Sequence, residues 1–201
     1  MSSKIGDTQT RILASTWELL ENARGKEVRM ADIAKHAKVS RQALYLHFPS
    51  RRDLLIATTH YIDKMKDVDA RLAASRSAKN GRDRLNAFIE AWGNYIPEIH
   101  GLARELMAMS DRDEAAKLAW NERMTALRQG CHAAVMALRR DGCLSPEHTV
   151  ETATDILCAL VSVRNWEYFT IDRNWSQRTY VTKMKTVAKQ LLVGQASPEL
   201  P

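Results

Sequence analysis

A chain of 201 residues, with 45% hydrophobic and 27% charged side chains and a formal charge of +6, has the balance of a globular protein with room for one or two cores. No stretch of eighteen apolar residues, internal repeat or low-complexity tract appears, and the start MSSKIGDTQTR lacks an apolar signal core, so a soluble, unexported chain without membrane partners is expected. Cys131, Cys143 and Cys158 form no CxxC pair, and an odd number of cysteines makes a poor disulfide framework; a reducing cytoplasm fits them. The basic excess is uneven. Residues 1–60 hold 10 basic against 6 acidic side chains, a modest surplus that points towards a nucleic-acid-facing amino terminus without establishing one.

Residues Asp7 to Arg24 predict an amphipathic helix with Ile12, Leu13, Thr16, Trp17 and Leu20 inward and Gly25 as its terminator. A short helix follows with Met30, Ile33, Ala34 and Ala37 on one face, ending by Lys38. Val39 is an apolar anchor at the turn, and Ser40 is a good N-cap for a second helix opening at Arg41. There Leu44 and Phe48, four apart, pin the helix to the core, while Arg41, Gln42 and Tyr45 project elsewhere. Two short helices, a tight turn and a row of donors read as a DNA-binding helix-turn-helix.

Beyond Phe48 no alternating run is long enough for a strand, so the expected fold class is all-α. Ser50 caps a helix from Arg51 towards Arg71, broken by the polar run SRSAKNGRD at 75–83, the clearest linker signal in the chain. The next helix aligns Leu85, Phe88, Ile89, Trp92 and Tyr95 until Pro97 interrupts or kinks it, and a short helix covers Leu102 to Met109. From Asp113 to Arg140, Trp120, Met124, Leu127, Cys131, Ala134 and Leu138 form an unbroken two-in-seven seam ended by Gly142. Ser145 and Pro146 are read as cap and first-turn proline of a helix reaching Tyr168, and a last helix runs from about Ser176 to Val193 with Gly194 as its stop. The tail QASPELP is expected to fray.

The order Ile33-Ala34, Val39-Ser40, Leu44-Tyr45, His47-Phe48, Pro49-Ser50-Arg51 and Asp53-Leu54-Leu55 resembles the TetR family of bacterial transcriptional regulators, by motif over residues 7 to 56 and by helix pattern beyond. The resemblance implies a three-helix DNA-binding head, residues 1–50, followed by a larger helical ligand-binding and dimerisation domain, residues 51–201. It also implies a homodimer that binds a pseudo-palindromic double-stranded operator, acting as a repressor released by a small molecule. Two positions depart from the family pattern. Lys38 stands where glycine is common, so either lysine adopts positive φ at a cost on the order of 1 kcal/mol or the turn differs. Arg29 stands where a Thr or Ser often caps the second helix; its guanidinium is a candidate for a DNA phosphate instead.

Within that reading Arg41 and Gln42 are the candidate base contacts, since Arg pairs bidentately with guanine and Gln with adenine. Arg29, Ser40, Tyr45, His47 and Arg51 are the candidate phosphate contacts, with a satisfied surface histidine as the alternative for His47. Leu46 either touches a thymine methyl or packs. Trp92, Tyr95, Met107, Trp120, Met124, Trp166, Tyr168 and Phe169 could line a cavity for a hydrophobic or aromatic effector, or belong to ordinary core. Arg128, Arg164 and Asn165 could orient a polar group, or simply pair with neighbours. The last two helices, with Ile156, Leu160, Tyr180, Met184, Val187 and Leu191, either close one subunit's core or pair with their copies across a two-fold axis. No catalytic motif, metal-ligand spacing or phosphate-cradling glycine loop is present, so no enzyme activity, metal or cofactor is expected. Rival readings are a DNA-binding protein without a small-molecule effector, and a helical ligand-binding or enzymatic protein whose head has lost DNA.

Overall fold

Over residues 2–23 and 27–194, which a computed structural model describes, the regular elements are helices; the nearest thing to a sheet among them is an isolated bridge between Leu144 and Val193. The helix end expected at Gly25 and the tail QASPELP lie outside the described residues. The chain divides into two compact units, Met1–Lys66 with Ile99–Met124, and Asp67–Glu98 with Thr125–Pro201. Compactness thus draws a different line from the expected division at residue 50, because the helix from Arg51 and the segment 99–124 share one core with residues 1–50.

In the first unit α1 (Ser2–Glu21), α2 (Met30–His36), α3 (Arg41–His47) and α4 (Arg51–Met65) surround Ile12, Leu20, Ile33, Leu44, Leu54 and Ile62, all nearly inaccessible to solvent. Leu102, Leu106, Ala116 and Ala119 complete that core from the longer helices α6 (Gly81–Met109) and α7 (Glu114–Arg140). The helices form because their apolar residues recur at three- and four-residue spacing, and side-chain caps set where α3 and α4 begin. Ser40 and Ser50 accept the backbone N–H of Ala43 and Asp53.

The second unit holds α5 (Val68–Arg76), the remaining parts of α6 and α7, α8 (Val150–Leu160), α9 (Val163–Glu167), a π-helical turn (Tyr168–Asp172) and α10 (Gln177–Leu192). Of the predicted seam of α7, Leu127, Cys131, Ala134 and Leu138 are buried, while Trp120 and Met124 are half-buried. Gly142 ends the helix with φ +64°.

Four expectations about helix limits need correction. The helix from Arg51 stops at Met65 because Asp67 turns left-handed (φ 51°) and becomes the N-cap of α5, its carboxylate accepting the Ala70 N–H. Pro97 does not divide α6. A proline at 97 cannot donate to the carbonyl of Gly93, and Gln177 Nε2 donates to that carbonyl at 2.8 Å instead, so the helix continues unbroken. The helix expected from Ser145 starts only at Val150, under a Thr149 cap. It also fails to reach Tyr168: Ser162 caps a new helix by accepting the Asn165 N–H, and the chain then widens into the π-helical turn.

Candidate nucleic-acid interface

The corner between α2 and α3 fixes what α3 presents. Lys38 adopts the left-handed conformation, φ 53°. Its N–H bonds the carbonyl of Lys35, and the N–H of Val39 bonds that of Ala34, the paired bonds of a Schellman ending. The lysine therefore carries the backbone strain that glycine would avoid. Arg11 adds a bond from Nε to the Ala37 carbonyl at 2.9 Å, satisfying one more acceptor at the end of α2. Next, Ser40 caps α3 with its Oγ 3.0 Å from the Ala43 nitrogen.

Leu44 is fully buried and Phe48 nearly so, which fixes the rotation of α3 about its axis. The opposite face is open: Arg41, Gln42, Tyr45 and Leu46 are exposed, and Leu46 keeps 79% of its surface in water. Leu46 therefore does not pack in the isolated chain. His47 is half-buried, tilted against Phe48 with ring centroids 6.5 Å apart. Arg29 lies at the start of α2 with its guanidinium 71% exposed and bonded to Glu27 at 3.0 Å. The cap it lacks is replaced in part from the other direction, as the Asp32 carboxylate accepts the Arg29 backbone N–H at 3.1 Å.

Arg51 is the exception. Its guanidinium is only 20% exposed and points inward, Nε donating to Asp113 Oδ2 at 2.7 Å and Nη1 to the Val28 carbonyl at 2.5 Å. Asp113 in turn caps α7 by accepting the N–H groups of Ala115 and Ala116. Burial pushes the Asp113 carboxyl up, but the Arg51 guanidinium and the two backbone N–H groups outweigh it and hold the carboxyl below the usual range. Arg51 is thus corrected from a phosphate contact to a strut that joins α4, the backbone at Val28 and the start of α7. Sequence reading missed this because its partners lie 23 and 62 residues away.

The expected effector residues are divided between the two units. Met107, Trp120 and Met124 belong to the first unit, and Trp92, Tyr95, Trp166, Tyr168 and Phe169 to the second. Trp92 and Tyr95 meet edge to face, with Trp92 Nε1 donating to the Val161 carbonyl, and the cavity beside them is about 10 Å³. That pair is core and not pocket lining, because a space of that size holds at most one water. Trp166 donates to Gln177, while Phe169 stacks on Trp175 at 4.2 Å and Tyr168 stays 51% exposed. Trp120 borders a polar cleft of about 550 Å³ with Asp111, Arg112, Glu114 and Lys117. Arg128 pairs with Asp155, and Asn165 donates to the Leu160 carbonyl.

Of the six expected dimer contacts, Tyr180 and Met184 are core residues of their own subunit. Tyr180 is fully buried, with its hydroxyl on the Leu160 carbonyl, and the Met184 sulfur accepts from Asn165. Ile156, Leu160 and Val187 are half-buried and Leu191 is 44% exposed. Among the described residues no helix is long and apolar enough to cross a membrane, and no three His, Cys, Asp or Glu side chains cluster to hold a metal.

Residues 12–58 match the family model described as bacterial regulatory proteins, tetR family. The chain is 36% identical over 64 residues to the nucleoid occlusion factor SlmA of Marinomonas sp. (strain MWYL1), 32% of each chain. It is 28% identical over 94 residues to the HTH-type transcriptional regulator EthR of Mycobacterium tuberculosis (strain ATCC 25618 / H37Rv), 44% of each. It therefore spans less than half the length of these curated relatives. Solved structures extend the likeness in fold. NalD of Pseudomonas aeruginosa, the secondary repressor of the MexAB-OprM multidrug efflux pump, superposes with TM-score 0.69 at 20% identity, covering 94% of this chain and 98% of its own. A Saccharomonospora viridis chain crystallised in complex with choline gives 0.74 at 18% identity, covering 94% and 100%.

Proposed function

We propose, from the match of residues 12–58 to the model of the tetR family of bacterial regulatory proteins, that this chain is a ligand-responsive transcriptional repressor that binds an inverted-repeat operator as a homodimer. The observation that carries the reading is the open face of α3. A capped, internally anchored helix presents Arg41, Gln42 and Tyr45 to solvent. Arg41 and Gln42 read base edges in the major groove, while Ser40, Tyr45, His47 and Arg29 hold phosphates and set register.

One head reaches few base pairs, so specificity requires two heads held about one helical turn apart. Ile156, Leu160, Val187 and Leu191 form the self-pairing surface. In functional terms residues 1–50 are the DNA head and 51–201 the effector and dimerisation region, in the cytoplasm and without catalytic activity. The effector is a small hydrophobic or aromatic compound, in keeping with the methionine and aromatic content around Met107, Trp120 and Met124. It regulates only if it binds one arrangement of the heads better than another. NalD, a repressor of similar fold, supports the assignment of sign.

Selection of bound sequences from random duplex DNA at about physiological salt tests the reading. An enriched inverted repeat supports it, and Arg41→Ala should then lower affinity by about ten- to a hundred-fold at one position of each half-site. Recovery of no sequence above background overturns it.

A further inference from the structure

Leu46 is the most exposed of the large apolar side chains among the described residues, at 79%. A single leucine in water is ordinary on a protein surface. This one holds a particular place. At about 100° per residue it lies about 200° round α3 from the fully buried Leu44, and so on the face turned away from the core. Gln42, four residues earlier, lies about 160° from the same anchor and shares that outermost face. Tyr45, 48% exposed, flanks them at about 100°.

The surroundings of Leu46 suit a polyanion. No acidic side chain lies on α3, and the exposed Lys38 and Arg41 precede and open it. Yet an isobutyl group carries no donor, acceptor or charge, so it cannot hold a phosphate or read a hydrogen-bonding base edge. In the major groove the apolar feature that distinguishes one base pair from another is the C5-methyl group of thymine. Cytosine carries only hydrogen at that carbon, and 5-methylcytosine restores the methyl. Side chains four apart on a helix stand about 5–6 Å from each other, and successive bases of a strand about 3.4 Å, so Leu46 meets a base pair one or two steps from the one that Gln42 reads.

Resting on the regulator reading above, we propose that Leu46 packs against the C5-methyl group of one pyrimidine in each operator half-site, and so selects thymine and 5-methylcytosine over uracil and unmodified cytosine at that position. The contact is apolar and makes no hydrogen bond, so it adds to the readings by Arg41 and Gln42 and replaces neither. A base methyl is set by DNA modification as well as by sequence. A half-site with cytosine at that position therefore binds more tightly once the cytosine is methylated. Covering one methyl group corresponds to about a four-fold change in affinity, and two half-sites together to about fifteen-fold.

The test uses the full native chain and the operator recovered by selection from random duplex DNA, with affinities measured at about physiological salt. Each thymine is replaced in turn by deoxyuridine, which removes the methyl group and nothing else. One thymine per half-site, within about two base pairs of the position relaxed by Gln42→Ala, should respond, with a loss of about four-fold for one half-site and about fifteen-fold for both. Leu46→Ala, which keeps the fold because the side chain it shortens lies in water, should bind the thymine and deoxyuridine operators alike. At the same position 5-methylcytosine should bind better than cytosine in the native chain and equally in Leu46→Ala. A selection that enriches no sequence overturns both this proposal and the regulator reading. An enriched repeat whose thymines all exchange for deoxyuridine without loss, or a difference between thymine and deoxyuridine that survives in Leu46→Ala, overturns this proposal alone. So does a changed sedimentation mass of DNA-free Leu46→Ala, which would assign the leucine to a contact between copies of the chain.

Discussion

Replacing Arg51 with Met separates two roles that make opposite predictions. As a strut, Arg51 donates charge-assisted bonds to Asp113 and to the Val28 carbonyl with about a fifth of its side chain in water. Breaking a fully buried pair costs about 3–5 kcal/mol and an exposed one about 0–1 kcal/mol, so a pair with 20% and 25% exposure falls at about 2–3 kcal/mol. For a chain of this length that is a fall of about 4–12 °C in Tm. Calorimetry of wild type, Arg51→Met, Asp113→Asn and the double variant should show a coupling of about 1–2 kcal/mol between the two positions. Because Asp113 has its carboxyl held below the usual range, its contribution is complete above that range and is lost as the pH falls through the lowered value. The gap between wild type and Arg51→Met should therefore narrow only at acid pH. In DNA binding, the salt dependence of the folded variant should keep its slope. An unchanged Tm together with a salt slope smaller by about 1 would refute the strut and restore Arg51 as a phosphate contact.

Lys38→Gly should stabilise the head by about 1 kcal/mol, since glycine adopts the left-handed turn without strain; circular dichroism melting that shows a loss would sink the idea. Tyr180→Phe should cost about 1 kcal/mol through the lost bond to Leu160 and leave the oligomeric state alone, whereas Leu191→Asp should yield monomers in sedimentation with little change in the subunit's own stability. Gly81→Ala would place a methyl group 2.5–2.7 Å from backbone atoms of Ala137 and Leu138, which cannot give way as a side-chain tip can. A loss of about 2–3 kcal/mol in urea unfolding is expected, and a neutral result would show that α6 shifts freely there.

The amino acids by themselves determined the elements whose causes are local. The stripe Ile33, Ala34 and Ala37, the Ser40 cap and the pins Leu44 and Phe48 lie within 16 residues, so the helix-turn-helix and its outward face follow from spacing and capping alone. The seam of α7 and its end at Gly142 were legible for the same reason. Lys38 marks the edge of that legibility. Its identity signals a conflict with the turn, but only the backbone shows that the turn prevails and the lysine bears positive φ.

What tertiary structure decided were matters of partnership between distant residues. Pro97 signals a break that Gln177, 80 positions later, removes by satisfying the carbonyl left free at Gly93. Arg51 has the composition of a phosphate contact until Asp113 and Val28 take its guanidinium. Tyr180 and Met184 share a helix face with Leu191, yet the neighbours of that face enclose the first two and leave the third in water. A helical pattern states which side of a segment avoids solvent, because side-chain periodicity is a property of the helix itself. What covers that side, and which polar group a long side chain finally reaches, depend on packing that no local spacing encodes.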